Sequence, residues 1–405
     1  MIRHRTVVFI TCFWMVFTAY AIRYSYGVLL PKMLPSLVIS KTEGGIIFSS
    51  YFIAYTVFSP VVGLLADRIN VRVLFALCLV LLGVGSFLMS YSSSLIEGIF
   101  CFVLIGIGAS GCWVPVVALV QRWVTEKRRG MTLAFIDMGA PLGGIVSSMT
   151  MPMVIAEFNW RMGWRGLGTL ALLLSCIVFF LVRSHPVEKP NFKNPEQRRY
   201  IHYSIKALYG EILKDIGFWL IGLSYMLIGF SALILLTFLC TYAVQELSLS
   251  YESAARLVTI VAAASMVGKL LLGFLSDFLG RLRLMMLCGI LISVSILGIG
   301  YYKSFVTLSL FAMGFGFGQG AVYPLYATYA ADYFSKEFTG SIIGLWTSFL
   351  GIGLILAPII AGWIADITRT LTSSFILAAV AAMMSFFLLL PVRKTAYSCN
   401  CGKNH

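Results

Sequence analysis

The chain has 405 residues, 60% of them hydrophobic and 11% charged, with a mean hydropathy of +0.92. Soluble domains carry about a quarter charged residues, so water is excluded as its main solvent. The formal net charge of +14 does not indicate nucleic acid, because the cations fall in short stretches between long apolar runs, the pattern that a bilayer imposes on loops.

A helix crosses a bilayer with about 20 apolar residues. On that rule twelve spans are predicted, at 7–30, 44–66, 73–90, 95–120, 131–156, 165–182, 217–244, 254–276, 284–302, 305–331, 342–366 and 371–390. The first follows Ile2-Arg3-His4-Arg5, which resembles a secretory leader, but it is long enough to span and lacks a small-x-small cleavage site, so it is expected to be retained. The hydrophilic stretch after the sixth span divides the chain into a six-helix bundle at 1–183, a linker at 184–215, a second bundle at 216–391 and a tail at 392–405.

A charge inside a span costs at least about 2.5 kcal/mol, so each one is a functional candidate. Three lie well inside: Arg23, Asp137 and Lys269. In the first span, Tyr20, Arg23, Tyr24 and Gly27 share a helical face. A guanidinium there offers a planar fork to a carboxylate, with phenols beside it and glycine leaving room. The bland alternative is an arginine that snorkels or serves packing.

Tyr51 and Tyr55 in the second span form a further candidate cavity face. Asp67 and Arg68 follow in the loop. Asp137, in the fifth span, reads either as a protonation site raised by low dielectric, as a gate pairing with Arg281 or another basic loop residue, or as packing. Lys269 in the eighth span supplies the second cation of a positive cavity between the bundles, unless it snorkels to the interface. Asp277 and Arg281 come next in chain order, then Gln319, Tyr323 and Tyr326 in the tenth span and Trp346 in the eleventh. The aromatic members are as readily explained by packing.

Alternate loops carry unequal charge. Lys32, Lys41, Arg161, Arg165, Arg256, Lys303 and Arg369 lie on one side, against 21 cations on the side shared by both termini and the linker. Both termini are therefore expected in the cytoplasm. Seven cysteines fall inside apolar runs as packing groups, and Cys399, Cys401 and His405 crowd the tail, where a solvated end is the simpler reading than a metal site. No metal, cofactor or nucleic acid is expected.

Gly63-Leu-Leu-Ala-Asp67-Arg68-Ile-Asn70-Val-Arg72 returns as Gly273-Phe-Leu-Ser-Asp277-Phe-Leu-Gly280-Arg281-Leu-Arg283, shifted by 210 positions. Two six-helix repeats of equal sense follow. Asn70 stands where the second copy has Gly280, and as a residue that tolerates a left-handed backbone it is expected to keep the turn. These residues resemble the signature of the major facilitator superfamily, Gly-x-x-x-Asp-Arg/Lys-x-Gly-x-Arg/Lys. Gly106-Ile-Gly108-Ala-Ser-Gly111, the Trp-Val-Thr-Glu-Lys-Arg-Arg-Gly130 loop, Gly139-Ala-Pro141-Leu-Gly143-Gly144 and Gly268-Lys269-x-x-x-Gly273 resemble, within it, the monocarboxylate transporters and oxalate/formate exchangers. The oxalate exchanger's lysine in helix 11 is missing here.

The resemblance implies an all-α membrane protein of two pseudo-symmetric bundles, with Asp67, Arg68, Asp277 and Arg281 latching the halves at the cytoplasmic face. The alternative for these four is that they fix loop shape and sidedness. Arg23 and Lys269 together favour a small organic anion, mono- or dicarboxylate, moved as one copy by alternating access, with proton symport or anion exchange. Drug efflux by proton antiport would be expected to place a carboxylate lure in the cavity. A non-transporting sensor or scaffold would tolerate neutral replacement of both cations. An enzyme has no support, because all four histidines lie outside the spans and no nucleophile motif is present.

Overall fold

The computed structural model describes residues 2–66, 69–124, 126–181, 214–334 and 339–392. The candidates Asp67 and Arg68, nearly all of the predicted linker and tail, and Cys399, Cys401 and His405 lie outside the described residues.

With no water to satisfy peptide groups in hydrocarbon, helices are the form that closes every backbone hydrogen bond within one segment. The described residues form α1 (Ile2–Leu37), α2 (Lys41–Ala66), α3 (Val71–Met89), α4 (Leu95–Ser110), α5 (Val114–Trp123), α6 (Glu126–Asp137), α7 (Gly139–Glu157), α8 (Trp160–Leu181), α9 (Ile216–Gln245), α10 (Tyr251–Leu279), α11 (Arg281–Tyr301), α12 (Phe305–Tyr333), α13 (Thr339–Thr368) and α14 (Leu371–Leu389). Twelve stretches are long and apolar enough to cross a membrane, matching the twelve spans read from the sequence.

Two predicted spans are interrupted. The fourth breaks at 111–113 between α4 and α5, and the fifth at Met138 between α6 and α7. Pro115 and Pro141 lack the N–H that would bond the carbonyls of Gly111 and Asp137, and their rings crowd those carbonyls.

Most helices also run beyond the predicted bounds, because apolarity marks the hydrocarbon layer while side-chain caps carry the helix into the interface. Ser250 Oγ accepts from the Ser253 amide at 3.2 Å, and Thr370 Oγ1 from that of Thr372 at 3.2 Å. Asn70 departs from expectation: its φ is −59°, and its side chain caps α3 by accepting from the Arg72 amide at 3.0 Å. The left-handed region is used at Gly280, with φ +87°.

The packing repeats between the halves. In α1–α8, α1 lies on α7, α2 on α4, and α3 on both α4 and α8; in α9–α14, α9 lies on α13, α10 on α12, and α11 on both α12 and α14. Span for span these are the same neighbours. The halves meet along α2 and α13, α7 and α10, and α1 and α9. We call the end that carries the 38–40 turn the loop face, and the end that carries the start of α1 the terminal face.

Candidate functional site

Glycines set the spacing of the helices that present the site. On α7, Gly139 and Gly143 lie against the backbone of Phe13 and Phe17 on α1, and Gly144 lies under the ring of Tyr24. On α12, Gly316 and Gly320 lie against the carbonyls of Val261 and Ser265 on α10. A Cβ at these contacts would force the helices apart, so small residues four apart fix both pairs at backbone distance.

Between the halves lies a pocket lined by Tyr20, Arg23 and Tyr24 of α1, Phe48 of α2, Leu233 and Leu236 of α9, and Gln319 and Tyr323 of α12. Its enclosed volume is about 30 Å³, room for a few waters and too little for an organic anion until the helices move.

The Arg23 guanidinium lies 4.8 Å from the Phe52 ring centroid and 5.5 Å from that of Tyr20, distances at which ring quadrupoles hold a cation. No carboxylate among the described residues pairs with it. Tyr51 and Tyr55 stack on one another with centroids 6.2 Å apart, beside Phe52 on α2. They adjoin the pocket without lining it.

The second predicted cation is elsewhere. Lys269 does not line the pocket with Arg23; its Nζ lies 2.5 Å from Asp137 Oδ2, with the two side chains 20% and 25% exposed. This pair joins α6 to α10, hence one half to the other, on the terminal side of the pocket. Asp137 therefore has an intramembrane partner in place of the expected loop arginine. Arg281 stays within the second half, where it donates to Asp332 Oδ1 at 2.7 Å and the Thr328 carbonyl at 2.8 Å and sits 3.7 Å from Asp277.

Trp346 is not brought to the pocket either. It is buried against Phe218 and Phe334 and donates Nε1–H to the Phe218 carbonyl at 3.1 Å. Tyr326 turns away as well, bonding Ser224 Oγ at 2.5 Å in a buried cluster with Ser385.

On the loop side the pocket is closed by contacts between halves. Gly27 lies against the Leu236 carbonyl, Tyr251 donates to the Val28 carbonyl at 2.8 Å, and Ser49 donates to the Ile355 carbonyl at 2.7 Å. At the rim, Asp366 of α13 accepts from the Lys41 and Thr42 amides at 3.2 and 2.8 Å and from Thr42 Oγ1 at 2.5 Å, capping α2 from the opposite half. Lys41 Nζ also lies 3.7 Å from Glu246. No group of three or more His, Cys, Asp or Glu side chains among the described residues is placed to hold a metal ion.

The family model described as Major Facilitator Superfamily matches residues 12–266 and 221–400. The chain belongs to this superfamily. Within it, the chain is similar to the hexuronate transporter of Bacillus subtilis (strain 168), at 24% identity over 90% of this chain and 89% of that protein. It is similar to the membrane sensor protein UhpC of Salmonella typhimurium, at 26% identity over 92% and 88%. The expected kinship with monocarboxylate transporters is met by monocarboxylate transporter 12-B of Danio rerio, at 22% identity over 85% and 77%. The fold matches that of a bacterial homologue of the human lysosomal transporter Spinster, solved inward-facing and unoccupied, with TM-score 0.80, 15% identity and coverage of 95% and 97%. The chain is thus a multi-pass membrane protein whose family and fold are those of transporters, not of enzymes.

Two kinds of candidate residue in this superfamily member, and one pairing, escaped the sequence. Phe48, Phe52, Leu233 and Leu236 carry no signal that separates them from packing residues. Asp366 and Lys41 sit at span ends, where charge reads as a boundary. Asp137 and Lys269 were each visible, but their pairing spans 132 positions and carries no local pattern.

Proposed function

We propose that this protein transports a small organic anion by alternating access, with Arg23 as the group that holds the anion's carboxylate. The observation that carries this reading is a guanidinium in mid-span, facing a pocket between the halves, with no carboxylate partner among the described residues. Such a charge is costly in a membrane interior and is compensated when an anion binds. Because Asp137 neutralises Lys269, one uncompensated positive charge faces the cargo, which favours a single carboxylate over two. A cationic drug finds no acidic lining here.

The loop counts of Lys and Arg put the terminal face in the cytoplasm. Contacts gathered on the loop side then close the outward route, and the Asp137–Lys269 pair guards the inward one. Breaking and remaking that pair as the halves rock gives it a gating role, and protonation of Asp137 would link the gate to proton symport. One chain encloses the whole pocket, so one copy is the working unit.

The test is uptake of labelled lactate, pyruvate, formate, acetate, glucuronate and dicarboxylates into proteoliposomes, measured above empty vesicles, with and without a pH gradient. At least one monocarboxylate is expected to accumulate, and Arg23→Gln to cut its rate at least about tenfold, one buried charge-assisted hydrogen bond or more. Unchanged uptake in that variant would retire the site. A second reading, a sensor that binds without moving its ligand, is favoured by the likeness to UhpC; it predicts saturable binding with no flux of any of these acids.

A further inference from the structure

The pocket's polar groups come from both halves and are unspent. Tyr20, Arg23 and Tyr24 on α1, and Gln319 and Tyr323 on α12, line it, and none of the five hydrogen-bonds another described residue. Buried polar groups are nearly always bonded. Gln319 is only 7% exposed, and its amide presents two donors and an acceptor. It is held there by the backbone: Gly316, three residues before it, and Gly320, the next residue, press α12 onto α10.

A carboxylate alone does not fit this set. It only accepts, so it engages the Arg23 fork and phenol donors of α1, but it has no donor for the acceptor oxygen of Gln319. A hydroxyl has both. The rings and branches of Phe48, Leu233 and Leu236 suit the carbon chain between the two kinds of polar end.

Building on the anion reading above, we propose that the substrates are hydroxylated monocarboxylates, hydroxy acids or sugar acids, whose carboxylate is held by Arg23 of the first half and whose hydroxyls are read by Gln319 and Tyr323 of the second. One molecule then bridges both halves, and an acid without hydroxyls leaves the second half's donors and acceptor unpaired. A site built to bond a hydroxyl discriminates strongly against the analogue that lacks it.

The test is calorimetric titration of the full chain in lipid nanodiscs with acids paired by charge and carbon number: gluconate against hexanoate, and lactate against propionate. The hydroxylated member of each pair is expected to bind at least about tenfold more tightly, one hydrogen bond's discrimination or more. In Gln319→Leu and in Tyr323→Phe, each checked for a single gel-filtration peak, that ratio is expected to fall at least about threefold. Arg23→Gln is expected to weaken both members of a pair together. Equal affinities within each pair in the unmodified protein, or a ratio untouched by both variants, overturns the hydroxyl assignment while leaving the anion reading standing. Binding of neither member, with Arg23→Gln without effect, overturns the anion reading and this assignment with it.

Discussion

Asp137 Oδ2 accepts a hydrogen bond from Lys269 Nζ at 2.5 Å, and the two residues belong to opposite halves of the molecule. The ion pair lies between the pocket and the terminal face, so whatever leaves the pocket in that direction passes beside it. Under the anion transport proposed above, a departing carboxylate would compete with Asp137 for the same ammonium group, and the state of the pair would follow the presence of cargo.

If the pair gates transport, the two charges matter through each other. Asp137→Asn and Lys269→Gln are each expected to reduce uptake about tenfold or more, since removing one partner leaves the other charge unpaired in a partly desolvated site. The reversed double variant, Asp137→Lys with Lys269→Asp, is expected to recover at least part of the loss. A double variant no better than either single one would show that the residues act separately. In Asp137→Asn, accumulation still driven by a proton gradient would remove the protonation role while leaving the gate.

At the opposite end, Asp366 caps α2 across the interface with three hydrogen bonds. Loss of a helix cap costs about 0.5 to 2 kcal/mol, and here the loss falls on the closed state alone, because opening the loop face separates the cap from its helix. Asp366→Ala should therefore shift the closed-to-open ratio there by roughly 2- to 30-fold toward the open form. Spin labels at Val38 and Ile367, both exposed on that face, report it as a longer component in the distance distribution; an unchanged distribution would dismiss the clamp.

Trp346 separates packing from binding. With its indole donating to the Phe218 carbonyl away from the pocket, Trp346→Phe is expected to lower thermal stability, by about 1 kcal/mol for the lost hydrogen bond plus a smaller packing loss, and to leave substrate affinity within twofold. A tenfold loss of affinity in a protein of unchanged melting temperature would return Trp346 to the site.

Fold-level features were legible because lipid reads sequence locally. An apolar run of sufficient length becomes a span whatever its neighbours, so the twelve spans and the internal repeat could be taken from one strand of text, and Arg23 stood out because charge is rare in such runs. A proline in a span is a candidate joint, yet whether it breaks the helix, as Pro141 does at Met138, or merely sits in one, as Pro358 does in α13, depends on what packs beside it. Asn70 shows the same limit at a turn: the residue permits a left-handed backbone, and the protein uses its side chain as a cap.

What the sequence determined by itself is the class of molecule, its repeat, and a buried arginine flanked by tyrosines, all of them consequences of single residues or of residues within a turn of one another. Only the tertiary structure decided that Lys269 belongs to Asp137 and not to Arg23, that Trp346 faces inward on Phe218, and that Asp366 holds a helix of the other half. Those outcomes join positions 128 to 325 residues apart. An ion pair or a cap across that separation is chosen by which helices touch, and amphipathic spans of similar composition leave that choice to the packing of their small residues.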